Sequence, residues 1–487
     1  MAELKVRTRY APSPTGFMHV GNLRTALYEY LVAKSQGGKF VLRIEDTDRE
    51  RLVEGAVDFI YNTLKLAGLQ HDEGPDVGGD FGPYVQSERK DMYLPYAEQL
   101  LTEGKAYRCF CTKERLEGIQ NENVGGGYDR HCRDLPQEEI DRLLAQGVPY
   151  VIRQKMPVDG STTFTDSVFG EITVENCELQ DQILIKTDGY PTYNFANVID
   201  DHTMGITHVV RGSEYLSSTP KYNLLYEAFG WQIPTYIHLP LIMGKDADGN
   251  ISKLSKRHGA TGFYDLINDG YLPQAIINYI ALLGWCPKDN REIFTLAELE
   301  QVFAIGGISK SPSVFDYDKL SWFNSEYIKA MGEAEFTTVA MPFYKQVFGE
   351  KDMPFEKFAA ILQKRVTQLT QIPDMLDFFA ELPAYEKDLF VNKKSKTNLE
   401  NAPIILQDAC ERLRALPEWT ANAVHDCLIN MAKEKELKNG TVMWPVRIAA
   451  AGKTVTPGGA VEILDILGRE EALRRLELGL GKLENHD

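Results

Sequence analysis

The sequence predicts an α/β fold, a parallel sheet interrupted by an insertion and followed by an all-α region. Three observations predict it. A strand, a turn and a helix lead into a second strand within residues 6–44, and the same rhythm returns near residue 187. From about Lys105 to Lys186 that rhythm breaks into a cysteine cluster, a glycine-rich turn and short alternating runs. From about Tyr327 onward the spacing is helical and amphipathic, with no strand-like alternation of any length. Alternating strands and helices imply a parallel sheet covered on its faces, and an unbroken helical run implies a separate bundle.

Val6 to Ala11 is short and partly β-branched or aromatic, and Pro12, Pro14 and Gly16 cannot continue a strand, so the first strand ends near residue 11. From Leu23 the apolar positions Leu23, Ala26, Leu27, Tyr30, Leu31 and Ala33 follow helical spacing, closing at Gly37-Gly38. His19, Gly21 and Asn22 therefore sit at or just before a helix start. Free N–H groups and the positive end of the helix dipole make that place favourable for a phosphate, and Gly21 leaves room for a nucleotide to lie against the backbone. The next strand, Phe40 to Ile44, runs into Glu45-Asp46-Thr47-Asp48. Strand, helix, strand is a right-handed parallel unit of the Rossmann-like kind, with its acidic groups at the carboxyl edge where such sheets bind ligands. Taken alone, His19 reads as an ordinary surface or core histidine; its neighbours change that reading.

Pro12-Ser-Pro-Thr-Gly16 followed by His19-Val-Gly-Asn22 resembles the first signature of class I aminoacyl-tRNA synthetases, in the form used by the glutamyl-specific branch. The familiar spelling ends in a second histidine where Asn22 stands, so His19 is the only imidazole at this turn.

Composition bounds the rest. The chain has 487 residues, 43% hydrophobic and 25% charged, enough for about three globular domains. No run approaches the roughly eighteen apolar residues of a membrane helix, and Met1-Ala-Glu-Leu-Lys5 lacks a signal-peptide core, so a cytoplasmic protein with no membrane association is expected. Of seven cysteines, Cys177, Cys286, Cys410 and Cys427 are scattered singly, which suits reduced thiols. A formal charge of −17 excludes a protein that coats nucleic acid indiscriminately. It leaves room for local basic strips such as Lys253 to Arg257 and Lys393-Lys394-Ser395-Lys396, the second of which reads equally well as a solvated loop.

Further helices are expected over Val53 to Ala67 and Lys90 to Leu101, separated by a Gly/Pro-rich loop from Glu73 to Pro83. Within the insertion, Tyr150 to Arg153 and Glu171 to Val174 read as strands. Cys109, Cys111 and Cys132 flank the loop from Gly125 to His131 and suggest zinc, the alternative being three buried thiols without metal. Some glutamyl-tRNA synthetases and their truncated relatives hold a zinc with two cysteines two apart, a third downstream, and a histidine two after it or a tyrosine four before. The position two after Cys132 is Asp134, and Tyr128 stands four before. The resemblance therefore implies Cys109, Cys111, Tyr128 and Cys132 around a structural ion, with His131 or Asp134 as substitutes for the oxygen ligand.

Strands at Ile183 and Thr207 to Arg211 restore the α/β pattern, with a helix carrying Tyr193 and Asn197 on one face between them. Tyr193 alone reads equally as core. Arg9 and Arg211 offer two guanidinium groups, which is what a dicarboxylate amino acid needs, because arginine grips a carboxylate with two parallel donors. By resemblance, Arg9, Ala11, Ser13, Glu45, Tyr193, Asn197 and Arg211 match the glutamate-binding positions, with Glu45 for the ammonium. Ser13, His19, Gly21, Asn22, Glu214 and Lys256 match those for ATP.

A helix over Ser217 to Phe229 and a strand from His238 to Gly244 precede Ile251-Ser-Lys253-Leu-Ser-Lys256-Arg-His-Gly259, which reads as a loop. It resembles the second class I signature, whose lysines neutralise the triphosphate; Lys256 is the first candidate and Lys253 the second. After it come helices over 262–267, 273–283, 296–303 and 315–324, then Thr420 to Lys433 and Ala460 to Leu478 among many.

The resemblance implies four regions. Residues 1–104 and 187–250 form the catalytic domain, 105–186 bind the acceptor end, 251–326 carry the signature loop and contact the tRNA stem, and 327–487 form an all-α anticodon-binding domain, with Arg365 at an anticodon-reading position. The implied activity is ATP- and Mg²⁺-dependent ligation of L-glutamate to tRNA(Glu), with His19, Lys253 and Lys256 as the catalytic groups. An enzyme that also charges tRNA(Gln) and a small-molecule nucleotidyltransferase are the alternatives. A monomer is expected.

Overall fold

The computed structural model describes residues 5–16, 18–47, 52–122, 127–246, 248–259 and 261–484, the side chains of 120–122 and 256 excepted. The chain forms two compact units, Met1–Leu266 with Ile276–Asp316, and Ile267–Ala275 with Tyr317–Asp487.

The first unit begins with β1 (Arg7–Tyr10), α1 (Val20–Lys34), β2 (Lys39–Leu42), α2 (Ala56–Leu66) and α3 (Lys90–Thr102). It continues through β3 (Ala106–Cys109), α4 (Lys113–Glu122), α5 (Gln137–Ala145), β4 (Val151–Gln154), β5 (Ser161–Asp166), β6 (Gly170–Glu175) and β7 (Ile183–Ile185). Then come α6 (Tyr193–Thr203), β8 (His208–Gly212), α7 (Thr219–Phe229), β9 (Thr235–Leu239), β10 (Ile242–Lys245) and β11 (Ile251–Lys253).

β1 and β2 pair in parallel, Arg9 opposite Val41. β8 follows β1, with Thr207 N–H donating to Arg7 O at 3.0 Å, and β8 and β9 pair in parallel. Every residue of β1 is buried. Strands buried on both faces usually read as apolar runs, yet β1 contains Arg7 and Arg9, so their counter-ions must also be inside. Arg7 pairs with Glu73 at 2.8 Å, and Arg9 with Asp201 and Glu29, each at 3.0 Å. Arg43, just past β2, pairs with Asp201 at 2.7 Å and Glu45 at 2.9 Å, and Arg89 with Asp200 at 2.7 Å. Two of the five acids, Asp200 and Asp201, come from α6, so this network ties the sheet to the helix that carries Tyr193.

In the segment read as an insertion, β3, β4 and β7 form an antiparallel sheet. The hairpin β5–β6 behaves differently: β5 joins β9 in parallel through Asp166 and Tyr236, giving the order β6-β5-β9-β8. That hairpin is thus the edge of the sheet that carries Arg211.

Two local expectations are corrected. The strand expected from His238 to Gly244 is divided at Pro240, because proline has no N–H for the ladder. The lysine-bearing segment is also no open loop from end to end: Ile251–Lys253 form β11, paired antiparallel with β10, and the His258 ring accepts the Ser255 N–H at 3.1 Å.

The second unit has no strand among its described residues. Its core joins Phe336, Tyr344, Phe358, Phe378, Leu406, Leu428, Val446, Ile463 and Leu476, all at most 1% exposed. Arg475 is buried among them and is satisfied by the Phe378 and Ala450 carbonyls and by Glu471. The last helix, Ala460–Glu484, is interrupted at Gly468, whose φ of 75° suits glycine alone at low energy. Among the described residues no helix is long and apolar enough to cross a membrane.

Candidate active site

The helix α1 begins at Val20 rather than near Leu23, because His19 caps it: Gly21 N–H donates to His19 Nδ1 at 3.1 Å. An accepting Nδ1 places the ring proton on Nε2. Burial, and then the nearby Lys253 charge, hold the His19 pKa below its usual value, so the ring is neutral near pH 7. The anion site expected at this helix end is narrower than the sequence suggests. Val20 N–H is taken by Thr261 O at 2.8 Å and Gly21 N–H by His19, so Asn22 supplies the first backbone donor without an acceptor among the described residues.

A cavity of about 290 Å³ opens beside this turn, lined by His19, Gly21, Asn22, Glu214, Lys253 and residues 239–242 among others. A Cβ at Gly21 would meet only His19 Nδ1, at 3.5 Å, so the space the glycine leaves belongs to the cavity. A Cβ at Gly212 would meet the end of the exposed Glu214 side chain, which would have to move aside. Of the residues expected for ATP, His19, Gly21, Asn22 and Glu214 line this cavity, whereas Ser13 lines the neighbouring one. The Lys256 side chain lies outside the described residues. Arg24, whose guanidinium donates to Leu283 O at 3.1 Å and to Pro240 O, was not anticipated.

The neighbouring cavity, about 260 Å³, shares Asn22, Thr25, Gly212 and Glu214 with the first and gathers Arg9, Ala11, Ser13, Glu45, Tyr193 and Arg211. Tyr193 is 38% exposed at this cavity and is not core. Asn197 is not among the lining residues; it is buried and donates to Tyr193 O at 3.0 Å, holding the turn that carries the tyrosine. Glu29 also lines the cavity, with Oε1 on Arg9 at 3.0 Å and Oε2 buried without a hydrogen-bond partner, and burial raises its pKa. Burial likewise raises the Glu45 pKa against the opposing charge of Arg43, and a substrate ammonium would favour the charged carboxylate further.

The two guanidinium groups differ. Arg9 already has Asp201 and Glu29. Arg211, 6% exposed, forms no ion pair with any described residue; its Nε faces His238 Nε2 at 3.1 Å and Nη2 donates to Thr219 Oγ1 at 2.8 Å. A buried cation without a counter-ion is costly, and an anionic ligand would supply one.

Cys109, Cys111 and Cys132 are brought together with Sγ atoms within 4.8 Å of one another, Cys111 and Cys132 at 3.5 Å. Tyr128 Oη lies 3.2 Å from Cys109 Sγ and 3.8 Å from Cys111 Sγ. Three thiols and a phenol fit a tetrahedral zinc. Asp134 is 79% exposed and engaged by Lys155 at 3.0 Å, and the side chain of exposed His131 makes no bond into the cluster, so neither substitutes for Tyr128 in this arrangement. Arg365, in the second unit, is exposed and makes no ion pair among the described residues.

Glu29, Arg43, Asp201, Asp166 and His238 were not singled out from sequence. The one signal available was charge within otherwise buried runs, Arg9 in β1 above all.

Residues 5–322 match the family described as tRNA synthetases class I (E and Q), catalytic domain, and residues 335–480 match the anticodon binding domain family. A glutamate–tRNA ligase of Clostridium kluyveri is 57% identical over 484 residues, 99% of this chain and 98% of that one. That of Clostridium tetani is 56% identical over 485 residues, 99% and 98% of the two chains. Among solved structures, a glutamate tRNA ligase from Elizabethkingia meningosepticum in complex with its amino acid has a TM-score of 0.89 at 36% identity, covering 99% of this chain and all 100% of that one. A glutamate-tRNA synthetase from Elizabethkingia anophelis has a TM-score of 0.88 at 36% identity, with 98% and 100% covered.

Proposed function

Because the chain belongs to the class I tRNA synthetases of the E and Q group, we infer that it joins L-glutamate to tRNA(Glu), using ATP and releasing AMP and pyrophosphate. The observation that carries the substrate assignment is Arg211, a buried guanidinium with no counter-ion among the described residues, in one cavity with Glu45 and Tyr193. Arg211, Arg9 and the Tyr193 hydroxyl hold the carboxylates and Glu45 the ammonium. Glutamine would set an amide against a desolvated guanidinium, a mismatch that buried polar sites reject strongly.

The adjoining cavities support the following course for the reaction. An α-carboxylate oxygen attacks the α-phosphorus of ATP in line and pyrophosphate leaves; a terminal ribose hydroxyl of the tRNA then attacks the acyl carbon and AMP leaves. No bond to the protein forms, so its work is positioning and charge neutralisation. His19 Nε2–H donates to the phosphate, Asn22 N–H and the helix end add positive potential, and Lys253 with Lys256 follows the charge toward pyrophosphate. Mg²⁺ enters with the nucleotide as part of the substrate, where it neutralises phosphate oxygens.

For the four regions we propose the roles that the resemblance implies. Residues 105–186 receive the acceptor end, 251–326 the stem, and 327–487 the anticodon, with Arg365 as a reading group and Asn197 as support for the glutamate pocket. The protein acts as a cytoplasmic monomer. Cys109, Cys111, Cys132 and Tyr128 would hold a zinc that fixes the loop before α5, a structural contribution only. Cys111→Ser is then expected to lose the zinc, measured by elemental analysis, and to unfold several degrees lower, about 2–4 °C per kcal/mol for a unit of this size. Its KM for glutamate should not change.

Charging of separate tRNA(Glu) and tRNA(Gln) transcripts with labelled glutamate tests the function. Charging of tRNA(Glu) alone is expected; charging of both would make the enzyme non-discriminating, and charging of neither by folded protein would overturn the reading.

A further inference from the structure

The buried pair Asp166–His238 stands behind Arg211 and has no part in the chemistry above. His238 Nδ1 lies 2.7 Å from Asp166 Oδ2, and neither side chain has exposed surface. Asp166 Oδ1 accepts the backbone N–H groups of Val168 and Phe169 at 2.9 and 2.8 Å, and Oδ2 accepts the His238 N–H at 3.1 Å. Burial opposes the charge on Asp166, but the His238 ring and these backbone donors outweigh it and hold the carboxyl below its usual value. An ionised Asp166 takes the proton-bearing side of the ring, Nδ1–H. Burial keeps the imidazole neutral, so Nε2 presents a lone pair, and that lone pair faces Arg211 Nε at 3.1 Å.

We propose that Asp166 is a positioning residue for glutamate recognition: by fixing His238 in its Nδ1–H form, it makes Nε2 the acceptor that aims the Arg211 guanidinium into the amino-acid cavity. The inference rests on the assignment of Arg211 to a substrate carboxylate. With Nε on His238 and Nη2 on Thr219, Arg211 Nη1 is left for the cavity. Packing alone would not choose this orientation. Tyr215, Tyr222 and Tyr236 surround the guanidinium at 5.3, 4.7 and 5.1 Å, and aromatic rings accept it in several orientations. The directional bonds choose, and the outermost of them starts on β5, the strand joined to β9 at Asp166.

Asp166→Asn tests the relay. If the amide oxygen keeps the Val168 and Phe169 donors, its NH₂ takes the place of Oδ2, where it loses the bond from the His238 backbone N–H and faces Nδ1, which must then accept; the ring proton moves to Nε2, where it meets the Arg211 N–H donor against donor and has Thr219 Oγ1, at 3.3 Å, as its acceptor. The expected result, in pyrophosphate exchange with tRNA(Glu) present, is a KM for glutamate raised about 10–100-fold, by analogy with the loss when the hydrogen-bond partner behind a metal-binding histidine is removed. The kcat and the KM for ATP should stay within about twofold. An unchanged KM for glutamate, or equal losses in all three parameters, would overturn the proposal. Arg211→Ala runs in parallel: if it leaves the KM for glutamate unchanged, the substrate assignment fails, and if it raises KM while Asp166→Asn does not, the relay fails. Should Asp166→Asn not fold, wild-type protein labelled with ¹⁵N-histidine still decides. The His238 signal, assigned by its loss in His238→Gln, must show the proton on Nδ1, and a proton on Nε2 overturns the inference.

Discussion

Arg43→Met is expected to destabilise the first unit by about 3–5 kcal/mol, the usual result of removing one partner from a buried ion network, and to weaken glutamate binding in the same step. Arg43 has no exposed surface and is the cation on both Glu45, at 2.9 Å, and Asp201, at 2.7 Å. Methionine fills similar space but leaves Glu45 without an ion-pair partner, while Asp201 keeps Arg9. Burial already raises the Glu45 pKa with Arg43 present; without it, Glu45 would fold protonated and lose the charge that meets the substrate ammonium.

The sign of the pH dependence follows. A carboxyl whose folded pKa exceeds its unfolded value binds more protons in the folded state, so stability falls as pH rises between the two values. Arg43→Met widens that interval upward from 4.5, the ordinary value. The deficit against wild type should therefore grow with rising pH and shrink toward acid. Urea unfolding followed by hydrogen exchange of peptides covering β1, β2 and α6 measures it. A deficit independent of pH, or one confined to the second unit, would contradict the account. In the double variant Arg43→Met/Glu45→Gln, stability should partly recover and glutamate binding should not.

This network also marks the limit of what the sequence makes legible. The turn from Pro12 to Asn22 is readable because proline and glycine restrict the backbone and because helical spacing begins just after it; the structure moves the helix start only to Val20. Of the seven residues the resemblance implies for glutamate, six line one cavity and Asn197 does not, and nothing local announces that convergence. Arg9 meets Asp201 across 192 positions and Arg43 meets it across 158, and no local pattern announces such pairs. Glu29 looks like an exposed residue on an amphipathic helix; only the arginine in β1 explains why it is 1% exposed. The same holds for β5, because a parallel register set at Asp166 and Tyr236 leaves no trace in either strand. Charge patterning identifies Lys253 but not the β10–β11 ladder that holds it.

The largest catalytic effect among the described side chains is expected at His19. His19→Ala should lower kcat by about 10²–10³, the range for removal of one preorganised donor to a developing oxyanion, with the protein still folded. The alanine also removes the cap of α1, which costs about 0.5–2 kcal/mol, so lost activity alone does not separate chemistry from structure. His19→Asn separates them: asparagine is a good cap and can accept the Gly21 N–H now taken by Nδ1, but its amide is too short to replace Nε2 in the nucleotide cavity. Stability should return with asparagine and kcat should not. A kcat that recovers with the cap would make His19 structural.

The acid limb of the wild-type pH–rate profile gives an independent check. Protonation turns Nδ1 into a donor facing the Gly21 N–H and adds a second cation beside Lys253, so the active form is the neutral ring. Because burial and Lys253 lower the pKa, activity should fall only below 6.5, and Lys253→Met should move that limb upward. Folding follows the same linkage: with the folded pKa below the unfolded one, the unfolded chain binds more protons between them, and stability is lost as pH falls through that interval. A limb unmoved by Lys253→Met would mean that another group controls it.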